Sequence, residues 1–214
     1  MIKAIIFDMD GTIIETTSHD LSAWQEVLGK YGIELSFEEY KQLLGRSSQE
    51  IIRIYMPDLS KEKSQQVEEK KHGFFSKSIR QKGITITAGL SDFIKLLKQH
   101  GYKLALATAG SRKKVDILKK YISLDEYFSV IVTASEVTKA KPDPAIFLKV
   151  AEKFSIKPEE CLVIEDAPKG VEAAHNAGMK SIAITTTHTR EELKESDKII
   201  DSFDQLGVED IKNI

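Results

Sequence analysis

A run of four apolar residues, Ala4-Ile5-Ile6-Phe7, breaks off at two carboxylates one residue apart, Asp8 and Asp10, with Gly11 and Thr12 behind them. The run is short and partly β-branched, too brief for a stable lone helix, and reads as a strand buried on both faces. Such strands belong to parallel sheets, where ligands bind at the carboxyl ends of the strands. Both acids are thereby delivered to a crevice. Strand alternation puts Asp8 and Asp10 on the same side, and Gly11 sets where Asp10 points as the chain turns. Two acids at one mouth repel each other unless a cation lies between them or one keeps a proton. The plainer alternative is a strand end followed by an Asp-Gly turn.

Beyond Thr12 the pattern changes. Residues 16–82 read as helical with little strand signal. Leu21, Trp24, Val27 and Leu28 recur at helical spacing ahead of Gly32. Ser36-Phe37-Glu38-Glu39 has the form of a capping box and starts a second helix, ending near Gly45. Ser47 or Ser48 caps a third, with Ile51, Ile52 and Tyr55 as its apolar side and Pro57 closing it. A long polar helix is predicted over 60–82, in which the charge run Glu68-Glu69-Lys70-Lys71 reads as a solvated face. From Ala88 onward helices and strands alternate. Strands are predicted at 103–107, 128–133, 161–164, 181–185 and 198–200. The helices between them include 112–121, one capped by Asp143 with Pro144 at its first position, and 168–176.

This alternation predicts an α/β fold: a doubly wound parallel sheet with a Rossmann-like core and an inserted helical cap domain. Residues 1–15 and 86–214 form the catalytic core and 16–85 the cap. An insertion directly after the acid-bearing strand sits above the crevice as a lid, hinged at 14–17 and 83–88. A helical subdomain with only a packing role is the alternative.

At 214 residues, 41% of them hydrophobic and 30% charged, the chain can bury a sizeable core. A net charge of −2 gives no electrostatic case for nucleic acid or an acidic membrane surface. The single cysteine, Cys161, excludes an internal disulfide framework and a cysteine-based zinc site, and reads as a small core residue. No apolar stretch approaches ~18 residues, so no membrane span is expected. With no signal peptide ahead of the first strand, a cytoplasmic protein is expected.

Four groups fall at or just beyond the ends of predicted strands: Asp8/Asp10, Thr108, Lys141 and Glu165/Asp166. Each has an ordinary reading, as a turn residue, a solvated lysine or a lead into the next helix. Together they are mutually consistent. The acids suit a hard divalent cation such as Mg²⁺, the hydroxyl and lysine suit an anion, and a carboxylate can be the nucleophile on phosphorus.

The motifs Asp8-x-Asp10-Gly11-Thr12, Thr108, Lys141-Pro142 and Glu165-Asp166 stand in an order and spacing that resemble the haloacid dehalogenase superfamily. The helical insertion is similar to the cap of the subgroup containing β-phosphoglucomutase and phosphoglycolate phosphatase. The resemblance implies that Asp8 is a nucleophile forming an aspartyl phosphate, and that Asp10 is the general acid and then the base. Thr108, Ala109, Gly110 and Lys141 would bind the transferring phosphoryl group. Mg²⁺ would be held by Asp8, Asp10 (through its backbone carbonyl) and Asp166, with Glu165 close by or acting through water. The second aspartate argues against the dehalogenase branch, which needs no acid to protonate a halide.

The chain also departs from the mutase pattern. Asp20 stands where the mutase has a cap histidine, with His19 one place early, and Leu44 and Ser48 replace a lysine and an arginine. Gly110, Ser111 and Arg112 follow Thr108 in place of polar phosphate-binding groups. Losing grip on a second phosphate favours a phosphatase over a mutase, although Arg46 and Arg112 keep the mutase as the alternative. The loop Gly45-Arg46-Ser47, at a helix junction in the cap, is expected to meet the part of the substrate that is not transferred. A phospho-acceptor signalling module, the reading from another class, is opposed by the motif order. The expected partner is a small phosphorylated metabolite, a sugar phosphate among the candidates, and the expected state is a monomer.

Overall fold

The computed structural model spans residues 1–214. Its centre is β1 (Ala4–Phe7), whose four side chains are all fully buried. Ile5 and Phe7 pack into one cluster and Ala4 and Ile6 into another, as strand alternation between two covered faces requires. Strands β4 (Lys103–Thr108) and β5 (Val130–Thr133) lie on one side of β1. On the other lie β6 (Cys161–Glu165), β7 (Lys180–Ile184) and β8 (Lys198–Ile200). The order is β5-β4-β1-β6-β7-β8 and every pairing is parallel. The strand order therefore reverses at β1, and the carboxyl end of β1 is the switch point where such sheets open a crevice.

Helices α5 (Leu90–Gln99), α6 (Arg112–Leu118), α7 (Leu124–Tyr127) and α10 (Val208–Lys212) cover the face of Ile5 and Phe7. The Phe7 ring meets Phe93, Phe128 and Phe203 at centroid separations of 6.4, 5.5 and 6.0 Å, within the range of favourable aromatic pairs. Helices α8 (Ala145–Phe154) and α9 (Pro168–Asn176) cover the face of Ala4 and Ile6. Cys161 is buried there at the head of β6. No helix is long and apolar enough to cross a membrane.

Between β1 and β4 come α1 (Thr17–Gly29), α2 (Phe37–Lys41), α3 (Ser48–Tyr55) and α4 (Lys61–Lys82). They enclose a separate apolar cluster that includes Trp24, Leu28, Tyr40, Ile52 and Val67. Capping boxes open α2 (Ser36 with Glu39) and α3 (Ser47 with Glu50). The chain enters and leaves this group through two short strands, β2 (Ile14–Glu15) and β3 (Thr85–Ile86), paired antiparallel.

Local departures from the sequence expectations have identifiable causes. The second helix stops at Lys41, and turns carry the chain on to Gly45. Ser47, not Ser48, caps the third. The helix after β4 ends at Leu118, and the short α7 follows. Pro144 is the cap of α8 rather than its first residue, and Asp143 Oδ1 accepts from the Ala145 amide at 3.0 Å from one position earlier. Lys71 is not solvated: it is 2% exposed. Val67, Lys71 and Phe75 follow one another at four-residue spacing, so Lys71 lies on the inward stripe of α4.

One face of α4 is fastened to α6. The Ser111 hydroxyl, which also caps α6, lies 2.8 Å from His72 Nε2, and Lys113 pairs with Glu69 at 2.9 Å. His72 is buried and its Nδ1 has no partner. Burial first, then Lys71, Lys113 and Lys114, push its pKa down to about 4, with Asp20 pulling the other way. The unfolded imidazole takes a proton below about pH 6.5, the folded one only below about 4. His72 therefore costs no stability above pH 6.5 and draws the chain toward unfolding as the pH falls from there toward 4. Urea unfolding at pH 7 and pH 5 should show a loss about 1 kcal/mol larger for the wild type than for His72→Gln, after allowing for solvent screening. Equal losses would assign the acid sensitivity to other groups.

Candidate active site

Asp8 lies one residue beyond β1, and its amide donates to the Ile164 carbonyl at 2.9 Å. The register of the three central strands brings Thr108, at the end of β4, and Glu165, at the end of β6, to the same edge. Lys141 Nζ is 2.6 Å from Asp8 Oδ1 and also bonds Glu165. Asp8, Glu165 and Asp166 are buried, with one carboxylate oxygen of each within 4.8 Å of the others. Glu165 Oε2 accepts the amides of Asp166 (2.9 Å) and Ala167 (3.0 Å), where the chain turns into α9. At Gly170 a Cβ would overlap the Glu165 carboxylate, so the first turn of α9 can approach that acid only as glycine. Thr108 Oγ1 accepts from the Gly110 amide at 2.9 Å, which fixes the turn after β4.

Burial, aided by Glu165 and Asp10, pushes the Asp8 carboxyl up to about 7 against the pull of Lys141. Burial, Glu165 and Asp8 likewise raise Asp166, while Thr187 and Thr12 oppose the rise. Burial works against the Lys141 ammonium, but Asp8 and Glu165 outweigh it and raise its pKa. Lys141 pairs with Asp8 and Glu165 and leaves Asp166 without a cation, so the three acids, when all are ionised, carry an excess of two negative charges. An all-oxygen donor set with that excess fits a hard divalent cation.

The Asp10 side chain is not part of this cluster. Its carboxylate accepts from Thr16 and pairs with Lys114 Nζ at 2.6 Å. Lys114 also bonds Asp20, and Asp20 bonds Lys71. The result is a second buried charge network, Asp10–Lys114–Asp20–Lys71, joining the β1 loop, α6, α1 and α4. Burial works against the Asp20 carboxylate, yet Lys114 and Lys71 hold it well below the usual range. Lys71 also lies over the Trp24 and Phe75 rings, at 5.5 and 5.1 Å. Neither lysine belongs to a motif. The signal for Lys71 was its place on the Val67–Phe75 stripe; Lys114 had none among 31 basic residues.

The two networks face one chamber of about 70 Å³ between sheet and insertion. Ala109, Gly110, Gly45 and Arg46 are in its wall, together with Leu44 and Ser48. The Arg46 Nε is buried without a partner. Ser47 is outside the chamber; it caps α3 and lines the neighbouring cleft. Arg112 turns away to the Ile131 carbonyl (3.2 Å) and Glu136 (2.8 Å), and so offers no charge to the chamber. His19 is likewise outside, 2.9 Å from the Ser78 hydroxyl.

The profile of the haloacid dehalogenase-like hydrolases matches residues 5–184. A phosphorylated carbohydrates phosphatase of Thermotoga maritima is 31% identical over 185 residues, covering 84% of this chain and 83% of its own. A fructose-1-phosphate phosphatase of Escherichia coli is 32% identical over 192 residues, covering 84% and 95%. Among solved structures, a β-phosphoglucomutase from Clostridium difficile superposes with a TM-score of 0.89 at 29% identity, covering 100% of this chain and 96% of that one.

The second network makes a clear energetic demand. Lys114→Met leaves Asp10 and Asp20 close together with one cation fewer, and should lower stability to chemical denaturation by about 3 kcal/mol. A loss below about 1 kcal/mol, the range of a surface pair, would show that the network is open to water.

Proposed function

The chain belongs to the haloacid dehalogenase-like hydrolases, and from that membership we propose that it is a Mg²⁺-dependent phosphatase of small phosphorylated metabolites, sugar phosphates in particular. The observation that carries this reading is the buried cluster of Asp8, Glu165 and Asp166 on Lys141, opening into the same chamber as Thr108 and Asp10. The two sugar-phosphate phosphatases among the relatives support the substrate class.

In this reading Asp8 and Asp166, with Glu165 beside them and the backbone carbonyl of Asp10, would hold Mg²⁺, and the ion would supply positive charge to the transferring group. Lys141, Thr108 and the Ala109 amide bind the phosphoryl oxygens, and Gly110, its own amide given to Thr108 Oγ1, lets the turn pass close to them. An Asp8 oxygen attacks phosphorus, the ester P–O bond breaks, and Asp10, entering the step protonated on the Oδ2 that Thr16 and Lys114 leave free, gives that proton to the departing oxygen. Asp10 then takes a proton from water, which attacks the aspartyl phosphate, releasing inorganic phosphate and restoring Asp8. Residues 1–15 and 86–214 act as the core. Residues 16–85 act as the cap that excludes bulk water and presents Arg46 to the part of the substrate that is not transferred.

Hydrolysis is favoured over the mutase reaction because the chamber wall has Leu44 and Ser48 facing it and Arg112 is committed to Glu136. One cap cation, Arg46, remains for a distal group. A panel of phosphorylated metabolites assayed with Mg²⁺ and with chelator tests the reading. Phosphate release should require Mg²⁺, and Asp8→Asn should cut it to below roughly a hundredth of wild type without unfolding the chain. With β-glucose 1-phosphate and a trace of the bisphosphate, glucose 6-phosphate forming faster than phosphate would establish the mutase instead.

The role of Arg46 is open to a separate comparison. Arg46→Ala should lower kcat/KM for the preferred sugar phosphate about tenfold or more, in line with a lost hydrogen-bonded charge. Turnover of p-nitrophenyl phosphate, which lacks a second polar end, should change little. Equal losses on both would remove Arg46 from substrate recognition.

A further inference from the structure

The loop after β7 carries no recognised motif, yet it grips both halves of the metal-binding edge. Thr186 donates its hydroxyl to the Gly11 carbonyl. Thr187 donates to Asp166 Oδ2, while Thr12 donates to Asp166 Oδ1 at 2.9 Å. Both oxygens of that buried carboxylate are thus each held by one threonine. The Thr187 hydroxyl has a single hydrogen, so the Asp166 backbone carbonyl, 3.1 Å away, needs another donor. His188 Nδ1 lies 2.9 Å from both that carbonyl and the Thr187 hydroxyl oxygen, and because a carbonyl only accepts, the contact is a hydrogen bond when Nδ1 carries the hydrogen. The pieces interlock sterically as well. Gly11, at φ +85°, leaves open the space that the Asp166 carboxylate and the Thr187 methyl occupy, and a Cβ there would strike both.

From this geometry we propose that Thr187 and His188 are positioning residues for Asp166 and set the protein's affinity for its divalent cation. The inference rests on the Mg²⁺ reading above. A carboxylate oxygen that accepts one hydroxyl keeps a lone pair for a cation, and the hydroxyl fixes where that lone pair points. Partners of this kind around a ligand commonly govern metal affinity by 10–100-fold. Thr12 alone would leave Asp166 free to rotate about its remaining bond. Thr187 removes that freedom, and His188 pins the backbone from which the side chain springs.

The test uses the full chain and Mn²⁺ as the probe, with free Mn²⁺ followed by electron paramagnetic resonance. Thr187→Val, close to isosteric, should weaken Mn²⁺ binding about 10–100-fold, and Thr187→Ser should restore it to within about threefold. His188→Phe should weaken it in the same sense and serves as the independent variant should Thr187→Val fold poorly. In turnover the Thr187→Val defect should appear in the Mg²⁺ concentration required, with kcat recovering at saturating Mg²⁺. Wild-type Mn²⁺ affinity in both Thr187→Val and His188→Phe would overturn the proposal while leaving the phosphatase reading intact. Absence of Mn²⁺ binding by the wild type would overturn both.

Discussion

Three carboxylates buried together at the ends of two neighbouring strands, β1 and β6, are the constraint on which the rest of this molecule depends. Left alone, Asp8, Glu165 and Asp166 would repel one another in a medium that screens poorly. Lys141 relieves part of that by bonding two of them. The amides of Asp166 and Ala167 serve the far oxygen of Glu165, and two threonines serve the third acid. The fold supplies all of these because β1 is central and its neighbours β4 and β6 run parallel to it in matched register. A one-residue slip of either neighbour would turn Thr108 or Glu165 to the wrong face.

The insertion carries the second half of the electrostatics. Lys71 and Asp20 come from its helices, Lys114 and Asp10 from the sheet side, and the two lysines balance the two aspartates. The motif acids remain short of positive charge, whereas this network is closed on itself. One set has an excess of negative charge that could take a cation, and the other ties two parts of the chain together. Arg46, with its buried and unpartnered Nε, is a cation of the insertion that this network leaves out.

What was legible in the sequence follows a physical rule. A buried strand shows itself as an uninterrupted apolar run, so β1 and the acid that ends it were readable directly. Helix α9, bounded by Pro168 and Gly178, and strand β8, marked by the apolar pair Ile199-Ile200, appear at the residues expected. The motif residues Asp8, Thr108, Lys141, Glu165 and Asp166 are brought to one chamber. Features made by long-range pairing were not legible. Lys71 looked solvated because three charged residues precede it, and only the facing Asp20 makes its burial tolerable. Lys114 and Thr187 acquire meaning from partners 94 and 21 residues away. The two strands through which the chain enters and leaves the insertion hold two residues each, too short for any alternation to appear.

That ribbon has a wider consequence. Glu15 and Thr85 are direct partners, so the chain leaves the sheet and returns to it about 5 Å apart. The arrangement is a hairpin whose tip has grown into four helices. The entropy of closing a hairpin rises only slowly with the length of what lies between its arms. The sheet is therefore nearly indifferent to the size and content of the tip, provided the arms still pair. The sheet with its acids and the helical tip are separable stretches of one polypeptide. The tip can be lengthened, shortened or exchanged in the course of descent while the acids at the end of β1 stay where they are.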